Sequence, residues 1–122
     1  MLVKFRWLSL ILWIMSMIFL VHLSIIPGDN IPSTFPHLDK LYHFGYYLWL
    51  SLLWVYFAGP NWKIVPGIVF MFIIGVLLEF VQGGIPQRTF SIFDIVANLS
   101  GLVAGVWALS YFCHRKYIIS DS

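Results

Sequence analysis

Four long apolar stretches, separated by short polar segments, make up most of the chain. Each stretch has roughly 18–22 residues, the length that an α-helix needs to cross a hydrocarbon core of about 30 Å. Backbone groups in lipid must be paired within their own segment, so helices are the expected form. The pattern therefore predicts an all-α integral membrane protein, a bundle of four transmembrane helices in one domain of residues 1–122. The predicted helices are 7–26, 41–58, 64–82 and 92–113.

Proline and glycine residues separate the stretches. Pro27 and Gly28 end the first, Gly59 and Pro60 make a tight turn between the second and third, and a glycine pair at 83–84 ends the third. These residue types interrupt helices and favour turns. The sequence therefore predicts a long first loop, a short second loop and a third loop of intermediate length.

Composition agrees with a membrane protein. The chain is 61% hydrophobic and 10% charged, whereas soluble domains have about 25% charged residues. The formal net charge of +2 does not indicate a nucleic-acid partner. The single cysteine, Cys113, cannot form an intramolecular disulfide.

The basic residues predict the orientation. Five of the seven lie before the first stretch, in the short second loop or after the fourth stretch. By the positive-inside rule, both termini and the 59–63 turn are cytoplasmic, and the 27–40 and 83–91 loops face outward. We therefore predict a multi-pass protein of the cell inner (cytoplasmic) membrane. The five residues are Lys4, Arg6, Lys63, Arg115 and Lys116.

The other polar residues gather at the outer ends of the predicted helices. Spacings of three or four residues place those within one helix on a common face, and polar faces in a membrane bundle point inward. Glu79 is the strongest candidate, because a full apolar helix precedes it. We predict that the candidate ligand-binding residues are Asp39, Lys40, His43, Glu79, Gln82, Arg88, Asp94 and Asn98.

Four further residues have specific expected roles. Gly101 and Gly105 form a small-xxx-small pair that permits close helix approach. Ser91 is expected to be the N-cap of the fourth helix. His22 is expected to face the bundle interior, hydrogen-bonded to its neighbours.

Several motifs resemble the VanZ-like family of membrane proteins. The run from Asp39 to Phe44 is similar to its D-K-x-x-H-F element, and Glu79 to Gln82 is similar to its E-x-x-Q element. The stretch from Arg88 to Asn98, followed by Gly101, is similar to its R-x-x-S-x-x-D-x-x-x-N element and closing glycine. The resemblance covers roughly residues 10–112. It implies a place in the bacterial cell envelope and a link to resistance to the glycopeptide teicoplanin, without implying a reaction.

Three functions remain open at this point. The cluster could be an interhelical polar lock, in which Lys40 or Arg88 neutralises the acids. It could bind the phosphate of a polyprenyl-phosphate or another anionic lipid-linked ligand, since arginine suits bidentate phosphate contacts. Alternatively, the protein is a membrane-embedded hydrolase or transferase acting on such a lipid, with His43, Glu79 and Asp94 as catalytic candidates.

The residue types would also suit a metal site made of Asp39, His43, Glu79 and Asp94. However, the chain has no H-E-x-x-H spacing. Of the three functions the sequence favours lipid binding, keeps catalysis as an open alternative, and predicts no metal and no cofactor. It names no partner protein.

Overall fold

Four α-helices make up the described part of the chain. The computed structural model describes residues 2–27, 37–59 and 61–120. The predicted all-helical architecture is confirmed there, and the helix bounds agree within three residues except at two ends. The first helix begins five residues earlier than predicted, and the last extends seven residues further. The helices are α1 (Leu2–Ile25), α2 (Leu38–Ala58), α3 (Ile64–Gly83) and α4 (Ile92–Ser120).

Three of these helices are long and apolar enough to cross a membrane: Lys4–Ile25, Ile64–Gly83 and Ile92–Phe112. The α2 helix is not among them, because it begins with charged residues and is rich in tyrosine and tryptophan. It nevertheless has the most extensive contacts with the rest of the bundle and touches each of the other three helices. A helix that is covered by protein on several sides needs less apolar surface than one that faces lipid.

The α2 and α4 helices make the most extensive contact in the bundle. A Cβ atom at Gly101 would clash with the backbone carbonyl of Phe44 and lie 2.9 Å from the amide nitrogen of Leu48. A Cβ atom at Gly105 would clash with the hydroxyl of Ser51. The expected small-xxx-small contact is therefore confirmed, and glycine is required because the two backbones approach closely.

Neighbouring helices run antiparallel, as two arginines show. The Arg6 guanidinium near the start of α1 donates hydrogen bonds of 2.9 Å and 2.6 Å to the carbonyl of Phe57 at the end of α2. The Arg88 guanidinium, between α3 and α4, donates to the carbonyls of Leu23 and Ile26 at the end of α1. The carbonyls of a last helical turn lack partners within the helix, so arginine is a suitable donor there.

The buried core is small, and apolar side chains also cover the outside. The core cluster contains Met17 and Leu20 from α1, Met71 from α3 and Leu102 from α4. Many large apolar side chains are exposed, among them Phe80, which is 64% exposed. Extended exposed apolar surface of this kind marks an interaction with a membrane or with another protein.

Candidate functional site

The polar side chains that are buried in the bundle concentrate at one end of it. The start of α2, the end of α3 and the start of α4 meet there, and Arg88 bonds the end of α1 at the same level. Glu79 and Asn98 are only 1% and 2% exposed. Gln82 and Asp94 are buried beside them. Placing such groups away from water is costly unless they are paired, so their arrangement requires an explanation.

His43 lies between two polar residues of α4. Its Nδ1 is 2.9 Å from Oδ1 of Asn98, and its Nε2 is 3.7 Å from Oδ2 of Asp94. An amide oxygen can only accept a hydrogen bond, so Nδ1 carries the proton that is donated to Asn98. In the neutral ring, Nε2 then presents a lone pair toward the Asp94 carboxylate.

Glu79 joins the end of α3 to the start of α4. Its Oε1 accepts a hydrogen bond of 2.8 Å from the backbone N–H of Ser91, the residue immediately before α4. A carboxylate at a helix N-terminus is stabilised by unpaired N–H groups and by the helix dipole. Ser91 therefore occupies the expected N-cap position, and its backbone N–H is the group that contacts Glu79.

Lys40 is the basic residue of the cluster. Its Nζ is 3.1 Å from Oδ2 of Asp39 and 3.4 Å from Oδ1 of Asp94. The Lys40 side chain is 32% exposed and that of Asp39 is 56% exposed. The hydrogen bond to Asp39 and the charge of Asp94 raise the pKa of Lys40, so it stays protonated at neutral pH.

Asp94 is buried with an incomplete set of partners. Its Oδ1 is within ion-pairing distance of Lys40, yet it accepts no hydrogen bond from any described residue. The charges are close, but the geometry does not meet the angular requirement of a hydrogen bond. A buried acceptor without a hydrogen bond is uncommon in folded proteins.

The side chains of His43, Glu79 and Asp94 could together hold a metal ion. One ligand atom from each residue lies within 4.8 Å of the other two. An imidazole nitrogen with two carboxylates can also exchange a proton with a bound molecule. The arrangement is therefore compatible with cation binding and with acid–base chemistry.

Tyr47 belongs to the site, although the sequence analysis missed it. It is 1% exposed. A Cβ atom at Gly75 would lie 2.7 Å from the Tyr47 hydroxyl oxygen and 3.1 Å from Nδ2 of Asn98. The spacing of four residues along α2 could have identified it, because Asp39, His43 and Tyr47 share one helix face.

Three predicted residues take positions that the sequence did not specify. Arg88 donates to helix carbonyls, and no described carboxylate lies within salt-bridge distance of it. Asp39 lies at the exposed edge of the cluster, where it pairs with Lys40. His22 is exposed, so the expectation that it faces the bundle interior is wrong.

Comparison of the chain with protein-family models, with curated proteins and with solved structures finds no match. The resemblance to the VanZ-like family therefore stays a prediction that rests on the motif residues alone.

Proposed function

We propose that the chain is a VanZ-like, four-helix protein of the bacterial inner membrane that binds the anionic headgroup of a lipid-linked ligand. The ligand class is a polyprenyl phosphate or a related carrier of cell-wall precursors. In this proposal all four helices cross the membrane, both ends of the chain are cytoplasmic, and the polar cluster lies at the outer face. The observation that carries the proposal is Lys40, whose partly exposed ammonium lies at the edge of the buried cluster.

A purely structural lock would pair its own groups. Here His43, Glu79 and Asp94 approach one another without a hydrogen bond among the three, and Asp94 Oδ1 has no hydrogen-bond donor in the described structure. Interhelical hydrogen bonds in membranes contribute only about 0.6 kcal/mol each on average. Burying two carboxylates costs more than hydrogen bonds of this size contribute. The cost therefore favours a role for the cluster in binding a ligand.

Lys40 supports an anionic headgroup as the ligand. Its ammonium is partly exposed at the edge of the buried cluster and remains charged at neutral pH. Asp39 and Asp94 hold it in place from two sides. The exposed apolar side chains on the helices would contact the hydrocarbon chain of the same ligand. Arg88 is a weaker candidate for headgroup contact, because helix carbonyls already occupy its guanidinium.

The test is native mass spectrometry of the purified protein with added polyprenyl phosphate, comparing Lys40→Gln with Lys63→Gln. Lys63 is an exposed lysine in the turn at the opposite end of the bundle, so its variant removes the same charge elsewhere. We expect wild type and Lys63→Gln to bind the lipid. Lys40→Gln should bind at least about tenfold more weakly, since a hydrogen bond to a charged group contributes roughly 1.5–3 kcal/mol.

An uncharged polyprenol of equal length is the ligand control. Equal binding of the phosphate and the alcohol, or equal binding by all three proteins, would contradict a headgroup site at Lys40. The same samples report on the second candidate, a hydrolase or transferase. The placement of His43 between Asn98 and Asp94 favours this second candidate. If it is right, the mass spectra should show conversion of the lipid to a product of different mass.

A further inference from the structure

We infer that His43, Glu79 and Asp94 bind a divalent transition-metal ion, of the kind that accepts mixed nitrogen and oxygen ligands. Zinc and manganese are the representative ions, because imidazole suits zinc and carboxylates suit manganese. The sequence spacing gave no metal motif, since the three residues come from three different helices. Only the folded bundle brings them together.

The separation of two of the three ligand atoms agrees with a shared ion. The three ligand atoms lie within 4.8 Å of one another, and the separation of His43 Nε2 from Asp94 Oδ2 is 3.7 Å. That separation is too long for a hydrogen bond. Two ligands that are each about 2.0–2.2 Å from a zinc ion lie roughly 3–4 Å apart for the usual coordination angles. The pair is thus spaced as two ligands of one ion would be.

The surroundings prepare each ligand for this role. Donation from Nδ1 to Asn98 fixes the histidine tautomer and leaves Nε2 unprotonated, which is the usual arrangement around a metal-bound histidine. Glu79 uses one oxygen to accept from Ser91, so its second oxygen stays available to an ion. Asp94 directs one oxygen toward His43 and the other toward Lys40.

Charge also favours a cation. Two carboxylates, which carry negative charge when ionised, are buried beside His43, and Lys40 lies at the edge of the group. A divalent ion neutralises that charge in a position where desolvation is otherwise expensive. Asp94 is 6% exposed and its Oδ1 accepts no hydrogen bond from the described residues. A buried carboxylate oxygen without a hydrogen bond is a suitable partner for such an ion.

The test measures binding of Zn²⁺ and, separately, Mn²⁺ to the full chain in detergent. Glu79→Gln, Asp94→Asn and His43→Gln are compared with His22→Gln, which removes an exposed imidazole from α1. We expect one ion per chain in wild type and in His22→Gln. Asn98→Ala should weaken binding about 10–100-fold through loss of the hydrogen bond to His43, and the three ligand variants should weaken it at least as much.

Pulsed electron paramagnetic resonance is measured on the Mn²⁺-loaded wild type, so its result does not depend on whether any variant folds. A nitrogen coupling from one imidazole is expected, and its absence would overturn the assignment of His43. Failure of wild type to bind either ion stoichiometrically would overturn the inference outright, as would equal losses in His43→Gln and His22→Gln.

The metal site and the lipid site can fail separately, because the metal titration contains no lipid. A bound ion would also raise the affinity of the cluster for a phosphate group, an inference that rests on the proposed function. Polyprenyl phosphate binding is therefore measured with and without a chelator. A protein that binds the lipid but neither ion overturns only the metal inference, and one that binds an ion but not the lipid overturns only the proposed headgroup site.

Discussion

Gly75 gives two polar side chains the space they need. The Tyr47 hydroxyl and the Asn98 amide both lie where a Cβ atom of residue 75 would contact them. The Asn98 amide oxygen in turn accepts a hydrogen bond from Nδ1 of His43. The orientation of the imidazole thus depends on a residue of α3 that has no side chain of its own.

Gly75→Ala should destabilise the protein and disturb the site. The added methyl group would lie 2.7 Å from the Tyr47 oxygen, so Tyr47 or Asn98 must move. Overpacking of this kind costs about 1–3 kcal/mol. The measurement is the free energy of unfolding in mixed micelles, together with metal affinity.

The control for this prediction is Gly45→Ala in α2. Nothing lies within 4 Å of a Cβ atom at Gly45. Alanine in a helix interior is more stable than glycine by roughly 0.5–1 kcal/mol, so this variant should be neutral or slightly stabilised. A loss of stability as large in Gly45→Ala as in Gly75→Ala would show that helical glycine itself, and not the contact with Tyr47, is responsible.

At the residue scale, the sequence predicted the buried acids better than their partners. Glu79 and Asp94 could be found because a carboxylate beside an apolar helix is rare and expensive. Tyr47 was missed because a tyrosine in an aromatic-rich helix resembles ordinary core. The bonds of Arg88 could not be predicted, since any helix end offers unpaired carbonyls and only the tertiary fold selects one.

At the scale of the helices, α2 and α4 form the unit on which the site depends. The α2 helix supplies Lys40 and His43, and α4 supplies Asp94 and Asn98. Contact between the two continues from the cluster along the bundle to Gly101 and beyond. Close approach of these backbones sets the distance between the histidine and its two partners.

Gly101→Ala should separate α2 from α4. The clashing group is the backbone carbonyl of Phe44, which cannot rotate away as a side chain can. We expect a loss of about 1–3 kcal/mol in unfolding free energy, the range for overpacked cores. Ser100→Ala, at the exposed neighbouring position, is the control and should change stability by less than about 0.5 kcal/mol. Similar stabilities for the two variants would contradict the importance of this contact.

The hydrophobic pattern predicted the helices well, because the length of an apolar segment and the polar residues that interrupt it can be read from neighbouring positions in the sequence. Pattern was weaker at helix ends, where α1 includes Lys4 and Arg6 and α4 continues past the apolar stretch. The extensive contacts of α2 with the other helices could not be deduced, since they depend on the tertiary arrangement. Its tyrosines and tryptophans are consistent with those contacts only after the arrangement is known.

For the whole molecule, the two arginine contacts lie at opposite ends of the bundle. Arg6 ties the start of α1 to the end of α2. Arg88 ties the loop before α4 to the end of α1. Among the described residues, the buried carboxylates lie at the end of the bundle that contains Arg88, and this polarity makes the proposed orientation in the membrane testable.

The proposed orientation predicts opposite labelling of two loops. In a Cys113→Ser background, Thr89→Cys should react with a membrane-impermeant maleimide from the outer side, and Lys63→Cys only after the membrane is opened. Both residues are exposed in turns between helices. The reverse pattern would place the cluster at the cytoplasmic face, whereas labelling of both sites from one side would show that α3 does not cross the membrane.

The hydrogen bond between Glu79 and Ser91 joins α3 to a residue that is synthesised later. In the proposed topology α4 is the last of the four helices to enter the membrane, so Glu79 is inserted before the backbone N–H of Ser91 can take its position at the start of a folded α4. His43 likewise lacks its hydrogen-bond partner until Asn98 of α4 is in place. A nascent chain that stops after α3 therefore presents a carboxylate and an imidazole without these partners, at a cost that only the arrival of α4 removes.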